Sequence, residues 1–593
     1  MHQHLRALLP HRRLPAVALA AAGSLVAALV TVSVGVPAHS ETVPGSQEIR
    51  PNEPGEDDAG PDIAAPKSHS PSRVPAKNVP SVAGLPVTGA TGVNRRIDGL
   101  TMKDQRTSNG GNSFSLEPPD QGLCVGGNVV IEAVNNVFAT YDATSGARTS
   151  DVQSLAPFFT GQNEVTRNPD GSFASFGPFM SDPKCYFDPA LHRFFMTELE
   201  LGQDPETGDF TGDSFEDIAV SKSSTPTTSS ADWYIYRIDV RNDGTDGTPS
   251  HTGCPCLGDQ PLIGADQYGF YVSTNEFPIV GDGFNGAQIY AFDKVGLTQG
   301  TLRYQRIEQN GTPLAEGTAY SVQPATSPTA DQWSTGQNGT EFALSALEFT
   351  GGFDNRVAAW SLTNTQSLTT ATPDVHVSHT VIGSEVYGAP PAAEQKDGPT
   401  PQAKSLHAKE NLIQSNDDRM NQVVYAGGKL WSGLNTAIKT PNYHTTAGIA
   451  YFVVSPTASA SGVSATMSHQ GYVAAAGQST IFPSIGVTPT GGAVMTFTLT
   501  GKRYFPTSAI VHLSANGATT SGIQRLADGV VPADGFTGYP ADDGNGQERW
   551  GDYSAAVADA SGKVWVASEY VPGTYGYPQF IANFGTYVAS VTP

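Results

Sequence analysis

The sequence predicts an all-β protein, a β-propeller whose expected number of blades is seven, and three observations lead to that prediction. A two-strand unit with a tight turn occupies residues 553–570, and the same pattern recurs at 184–197 and 423–431. The chain contains 64 glycines and 43 prolines but only 15% charged residues, which is typical of many short strands and turns. Its 593 residues exceed one ordinary hydrophobic core, which favours a repeat architecture or several domains.

The N-terminal 40 residues have the order of a secretory signal. Three arginines precede an uncharged run at 14–36, and small residues follow at 37–40. The alternative is a retained anchor, because the run is long enough to span a bilayer. With cleavage after about residue 40, we expect a secreted protein, extracellular or associated with the cell wall, without further membrane attachment.

Residues 41–95 are predicted to be a disordered linker. They are rich in proline, serine, alanine and acidic residues and show no apolar periodicity. Such a composition buries too little apolar surface to offset the entropy of folding. The folded domain is therefore expected to cover residues 96–593.

Within that domain, inner strands followed by outer strands recur about 60 to 100 residues apart, with three or four strands in each unit. A propeller closes such units into a ring and hides their edges. The fourth unit is irregular, so six or eight blades remain alternatives, as do two β-sandwich domains. The seventh unit shows three clear strands, and we expect a strand from about residues 90–120 to complete it. The inner strands are expected to begin near residues 123, 184, 262, 321, 423, 484 and 553.

The net charge of −23 at pH 7 restricts the partners of the protein. So acidic a surface repels nucleic acids and anionic membranes, which excludes both as expected partners. It is compatible with a soluble secreted monomer and with cation binding.

Four cysteines enter an oxidising compartment if the protein is secreted. Three pairings are possible, and we favour Cys124 with Cys185 and Cys254 with Cys256. The metal alternative for Cys254 and Cys256 finds no further cysteine or histidine pair at zinc spacing.

The residues that precede inner strands are the candidate functional residues, because in a propeller they crowd one mouth of the central channel. Clustered carboxylates there could bind a cation, or could raise the pKa of one carboxyl so that it acts as a general acid. The alternative is structural, with the aspartates capping turns and the arginines bridging blades. The candidate catalytic residues are Asp182, Asp418 and Asp552, and the candidate ligand contacts are Asp259, Asp417, Arg419 and Arg549.

No cofactor is required by any motif, but residues 542–548 alternate oxygen-bearing side chains with glycines. Asp543, Asn545 and Glu548 are therefore candidate calcium ligands. A solvated turn is the alternative interpretation of this segment.

Residues 559–565 resemble the Asp-box turn of sialidase-like propellers, with Asp559 one residue early relative to Gly562 and with the spacing from Gly562 to Trp565 retained. In that family the turn lies away from the catalytic centre, so the resemblance implies fold. Residues 110–593 also resemble a group of uncharacterised secreted bacterial proteins, which implies secretion and a propeller. The shared phrases lie at 118–124, 181–189, 416–420 and 549–554.

The function that we expect from these patterns is binding of an extracellular ligand, a glycan or cell-surface polymer, at the channel mouth. A glycan-active hydrolase or lyase that uses the clustered carboxylates is the first alternative. A protein-interaction or structural propeller is the second, because one fold hosts all three functions.

Overall fold

The computed structural model describes residues 49–50, 79–169, 171–281, 283–308, 314, 318–347, 352–540, 544–573 and 583–593. Regular structure in these residues is almost entirely strand, as the abundance of turn residues predicts. The helices are short: α1 (Met102–Thr107), α2 (Leu155–Thr160), α3 (Lys294–Leu297) and α4 (Pro401–Ser405). Helices this short do not form a core of their own.

The strands that precede the first complete sheet are β1 (Ile49–Arg50), β2 (Val87–Gly89), β3 (Val93–Thr101) and β4 (Ser115–Leu116). Unit 1 contains β5 (Gln121–Gly126), β6 (Val129–Val134), β7 (Val137–Asp142) and β8 (Gln153–Ser154), and a hairpin of β9 (Val165–Arg167) and β10 (Phe173–Phe176) follows. Unit 2 contains β11 (Phe179–Asp188), β12 (Arg193–Gln203), β13 (Phe210–Ser221) and β14 (Trp233–Asp239). Unit 3 contains β15 (Cys256–Ala265), β16 (Gly269–Pro278), β17 (Gly286–Asp293) and β18 (Tyr304–Ile307).

Units 4 and 5 share one eight-stranded sheet, because their first strands pair in parallel. Unit 4 contains β19 (Gln323–Thr326), β20 (Thr340–Ser345), β21 (Phe353–Thr363) and β22 (His376–Gly388), and β23 (Leu412–Ile413) follows it. Unit 5 contains β24 (Val423–Ala426), β25 (Lys429–Lys439), β26 (Thr445–Ser459) and β27 (Gly462–Val473).

Unit 6 contains β28 (Ser479–Val487), β29 (Ala493–Gly501), β30 (Tyr504–Leu513) and β31 (Ile523–Ala527). After β32 (Gln547–Glu548), which pairs with β23, unit 7 contains β33 (Ala555–Ala558), β34 (Val564–Tyr570) and β35 (Gly585–Val591). Within each unit, sequential strands are antiparallel neighbours. The first strand of every unit lies against the first strand of the next, and β33 lies against β5, so these strands form a closed, propeller-like ring.

Apolar residues fill the space between neighbouring sheets. One buried cluster lies at each of the interfaces around the ring; for example, Trp431 of unit 5 packs with Ile485 of unit 6, and Trp360 of unit 4 packs with Tyr271 of unit 3. The strands of these sheets are buried on both faces, which explains their nearly continuous apolar sequences. A further cluster that includes Phe536 and Trp550 lies outside these interfaces, in the long connections that precede units 5 and 7.

The N-terminal part of the domain is attached to three units. Strand β3 pairs antiparallel with β35, and β2 pairs in parallel with β31. Ser81 and Leu85 form bridges with Lys439 and Ala475. Residues 79–95 fall within the segment that the sequence indicated as linker, but they are part of the fold, because units 5, 6 and 7 supply backbone partners for them.

Both predicted disulfides are confirmed. Cys124 bonds to Cys185 across units 1 and 2, and Cys254 bonds to Cys256 at the start of β15. Over the described residues, no helix is long and apolar enough to cross a membrane.

Candidate functional site

Most units have one residue in a left-handed backbone conformation just before the first strand or at an irregularity within it. The residue is Asp120 in unit 1, Asp182 in unit 2 and Gln260 in unit 3, with φ values of 49°, 61° and 51°. Asparagine and aspartate tolerate this conformation because their short side chains bond locally. In unit 7 the residue is Gly551, where an added Cβ would lie 1.9 Å from a carboxylate oxygen of Glu569.

Three of these left-handed residues, Asp120, Asp182 and Gln260, take part in a closed circuit of hydrogen bonds, which we call the polar ring. Its members are Asp120, Asn135, Asp182, Gln260, Asn416, Asp417, Arg419 and Asp552. They come from units 1, 2 and 3 and from the loops before units 5 and 7. The ring therefore joins residues that are far apart in sequence.

One half of the polar ring links units 1, 2 and 3. The Asp182 amide donates to Asn135 Oδ1 at 3.1 Å, and Asn135 Nδ2 donates to Asp120 Oδ2 at 3.1 Å. The Gln260 amide donates to Asp182 Oδ2 at 3.1 Å. In the first strands of units 2 and 3, a main-chain amide thus donates to a side-chain oxygen of the preceding unit.

The other half links the loops before units 5 and 7. The Asp552 amide donates to Asp120 Oδ1 at 2.7 Å, and Asn416 Nδ2 donates to Asp552 Oδ1 at 2.6 Å. The Asp417 amide in turn donates to Asn416 Oδ1 at 2.8 Å. Arg419 closes the circuit, with Nε 2.8 Å from Asp417 Oδ1 and Nη1 2.8 Å from Gln260 Oε1.

Several of the predicted site residues thus meet, and they are buried. The side chains of Arg549 and Asp552 are paired at 2.8 Å with only 3% and 5% of their area exposed. Burial and the charge of Asp182 raise the pKa of Asp259 well above its ordinary value, against the opposing charge of Arg419. Burial also disfavours ionised Asp417, but the charge and hydrogen bonds of Arg419 hold its pKa below the ordinary value. Asp418 is buried as well.

A cavity of about 810 Å³ lies along the axis of the ring of units. It is lined by residues of all seven first strands, and among these Gln121 and Gln260 are buried beside the polar ring. Asn128 and His192, which lie in the turns at the other end of those strands, are exposed. The cavity is therefore closed at the polar ring and open at the hairpin turns.

The closed end of this axial cavity contains the side chains of Asn421 and Gln121. Asn421 Nδ2 and Gln121 Oε1 are buried and have no hydrogen-bond partner among the described residues. The Lys184 ammonium lies over the ring of Tyr553, and both residues also line the cavity. Buried polar groups are rarely left unbonded, so these positions are suited to a polar ligand.

The candidate catalytic carboxylates do not line this cavity. Asp559 is the single acidic residue among the described lining residues. Its Oδ1 accepts from Ser561 and from the Lys563 amide at 3.1 Å, and its Oδ2 accepts from Trp565 Nε1 at 2.9 Å. Asp559 therefore stabilises its hairpin turn, which agrees with the resemblance to an Asp-box.

The candidate calcium ligands do not form a described site. Asp543 lies outside the described residues, and Asn545 Oδ1 accepts from the Gln547 amide at 3.2 Å. Glu548 is buried. Desolvation, and then the charge of Glu117, raise the pKa of Glu548 well above the ordinary value. In the part of the chain that the structure describes, three groups suited to a metal lie within 4.8 Å of one another only at Cys254, Cys256 and Glu276.

Comparisons with known proteins give only distant likenesses. No protein-family model matches the chain, and no curated protein matches it in sequence. A protein of unknown function from Dyadobacter fermentans is 10% identical with a TM-score of 0.34, over 72% of this chain and 97% of that one. The exo-β-1,3-galactanase 1,3Gal43A from Clostridium thermocellum is 9% identical with a TM-score of 0.26, over 83% of this chain and 96% of that one. Trypanosoma rangeli sialidase is 9% identical with a TM-score of 0.30, over 72% of this chain and 57% of that one.

The sequence interpretation missed the residues that line the cavity and half of the polar ring. Gln121 and Lys184 lie within the shared phrases at 118–124 and 181–189 but belong to no chemical motif, and Asn421 lies just before β24 without one. Part of a signal for the ring was present, because Asp182 and Gln260 each precede a proline and each is left-handed.

Proposed function

We propose that the protein is a secreted seven-bladed β-propeller, closed by β3, that binds an extracellular glycan or cell-surface polymer in the axial cavity. The observation that carries this proposal is the closed end of the cavity, where Asn421 Nδ2 and Gln121 Oε1 find no hydrogen-bond partner in the described part of the chain. A donor and an acceptor among the lining residues of one cavity suit the hydroxyl groups of a sugar, which both donate and accept. The volume of about 810 Å³ is in the range of ligand-binding pockets.

The seven blades are supported by the order of the sheets. Seven groups of four strands follow one another, and the fourth strand of the last group is β3, from the N-terminal side of the domain. Such a final sheet ties the two ends of the ring together. The resulting propeller has no open seam between its last and first blades.

Binding is favoured over hydrolysis by the carboxylates. Hydrolysis of a glycosidic bond commonly uses two carboxyl groups about 5 to 10 Å apart that flank the substrate. Asp559, the one carboxylate among the described lining residues, is occupied by its own turn. Asp182 and Asp552 accept main-chain and side-chain hydrogen bonds in the polar ring, and we propose that they support Gln260 and the closed end of the cavity.

A panel of soluble glycans and purified cell-wall polymers, scored for binding and for released products, tests this function. We expect binding without product. Asn421→Ala should weaken it at least about tenfold through the lost hydrogen bonds, whereas the exposed control Asn516→Ala should leave it unchanged. Release of shortened glycans would favour the hydrolase alternative. Binding that Asn421→Ala does not alter would exclude the cavity as the site.

A further inference from the structure

We infer a second site, independent of the axial cavity, at the Cys254–Cys256 disulfide: after reduction, Cys254, Cys256 and Glu276 bind a thiophilic divalent cation such as Zn²⁺. The two sulfurs and a carboxylate oxygen of Glu276 already lie within 4.8 Å of one another. Thiolate and carboxylate groups are ordinary zinc ligands, and their donor atoms are this close when they share one ion.

The structure supplies what the sequence spacing lacked. Cys254 and Cys256 lie before and at the start of β15, whereas Glu276 belongs to the neighbouring strand β16, where it is opposite Gly258. Cys254 Sγ is 3.7 Å from Glu276 Oε1. Strand pairing thus places the third ligand next to the two cysteines, and no local sequence motif indicates it.

The surroundings hold Glu276 in place. Its Oε1 is 2.7 Å from His251 Nδ1 and accepts from Asn285 Nδ2 at 2.8 Å, and its Oε2 accepts from Asn242. Glu276 itself is buried. Partners of this kind orient a metal ligand, as the outer shell does in zinc proteins.

Access to the site is one-sided. Cys254 is partly exposed and follows the exposed Thr252 and Gly253, whereas Cys256 is fully buried. A small thiol can therefore reach Cys254 from solvent. Three protein ligands leave the fourth tetrahedral position for water or an external ligand.

The chemistry balances with a monothiol, RSH, as the reductant. One thiolate attacks Cys254 Sγ and Cys256 leaves as a thiolate, which takes up a proton; a second thiolate then releases RSSR and the Cys254 thiol. The disulfide gains two electrons and two protons, and two RSH become one RSSR. Zn²⁺ then displaces the two thiol protons to solvent and binds both sulfurs as thiolates.

Cobalt(II) binding to the full chain tests the inference, because thiolate–cobalt charge transfer absorbs in the near ultraviolet. The protein is reduced with a small thiol, freed of it without oxygen and titrated with Co²⁺. Alkylation and peptide mapping identify the opened disulfide. We expect one Co²⁺ per reduced chain with charge-transfer absorption, and none for the untreated protein.

Variants assign the ligands. Cys254→Ser and Cys256→Ser should lose the charge-transfer band although Cys124 and Cys185 remain, and Glu276→Gln should weaken binding at least about tenfold. Glu308→Gln, next to His251 but outside the ligand set, should stay within about twofold of the wild type. A band retained in Cys256→Ser, or no stoichiometric binding after reduction, would overturn the inference. These outcomes are independent of the glycan panel.

Discussion

Replacement of Arg419 by methionine tests whether the polar ring contributes to the stability of the fold. Arg419 donates to Asp417 through Nε and Nη2 at 2.8 and 3.0 Å and to Gln260 through Nη1 at 2.8 Å. It also lies 5.3 Å from the centre of the Tyr320 ring. Methionine keeps much of the apolar stem but removes the charge and all three hydrogen bonds.

The cost follows from burial. The Arg419 and Asp417 side chains expose 3% and 17% of their area, so the substitution leaves a largely desolvated carboxylate without its cation. Breaking a buried ion pair from one side costs about 3 to 5 kcal/mol, because the remaining charge loses its compensation. The double variant Arg419→Met with Asp417→Asn removes that charge and should recover about 2 kcal/mol.

Urea denaturation followed by tryptophan fluorescence is the assay. Urea is uncharged, so it does not screen the ion pair as an ionic denaturant would. The matched control is Arg525→Met, whose pair with Asp528 is 31% and 57% exposed and should contribute less than about 1 kcal/mol. If the two single variants lower the free energy of unfolding equally, the polar ring is not a desolvated network. If the double variant recovers nothing, Asp417 is not the uncompensated charge.

Three further outcomes are expected. Burial raises the pKa of Glu132 from 4.5 to about 7, so its stabilising contribution is complete below about pH 4.5 and is lost as the pH rises through about 7. The free energy of unfolding of the wild type, from urea titrations, should thus fall by roughly 3 kcal/mol more over this range than that of Glu132→Gln, whereas parallel profiles would contradict the assignment. A chain that begins at residue 103 lacks β3 and should unfold at lower temperature than one that begins at 79; equal melting would show that β3 does not close the ring. Asp559→Ala should lower the free energy of unfolding by about 1 to 2 kcal/mol, because it removes the hydrogen bonds of its turn. The exposed control Asp528→Ala should lower it by about 0.5 kcal/mol or less, and equal losses would show that Asp559 does not stabilise the turn.

The strand pattern was predictable because it depends on short-range chemistry. Short apolar runs, glycine-rich turns and recurring two-strand units locate the first strands near residues 123, 184, 262, 423 and 484, and strands lie there in the structure. The two disulfides were also predictable, since four cysteines allow few pairings. The start of the fold was placed too late, because residues 79–95 acquire their structure only from partners hundreds of residues away.

The sequence by itself determined the all-β class, the repeating units and the convergence of Asp182, Asp417, Arg419 and Asp552 where first strands begin. Only the tertiary structure decided what these residues do there, because burial and hydrogen-bond partners depend on the packing of separate units. It placed them in a buried ring, left Asn421 and Gln121 at the closed end of a cavity, and brought Glu276 to Cys254 across a strand pair. Local sequence specifies strands and turns, whereas sites arise where distant strands meet.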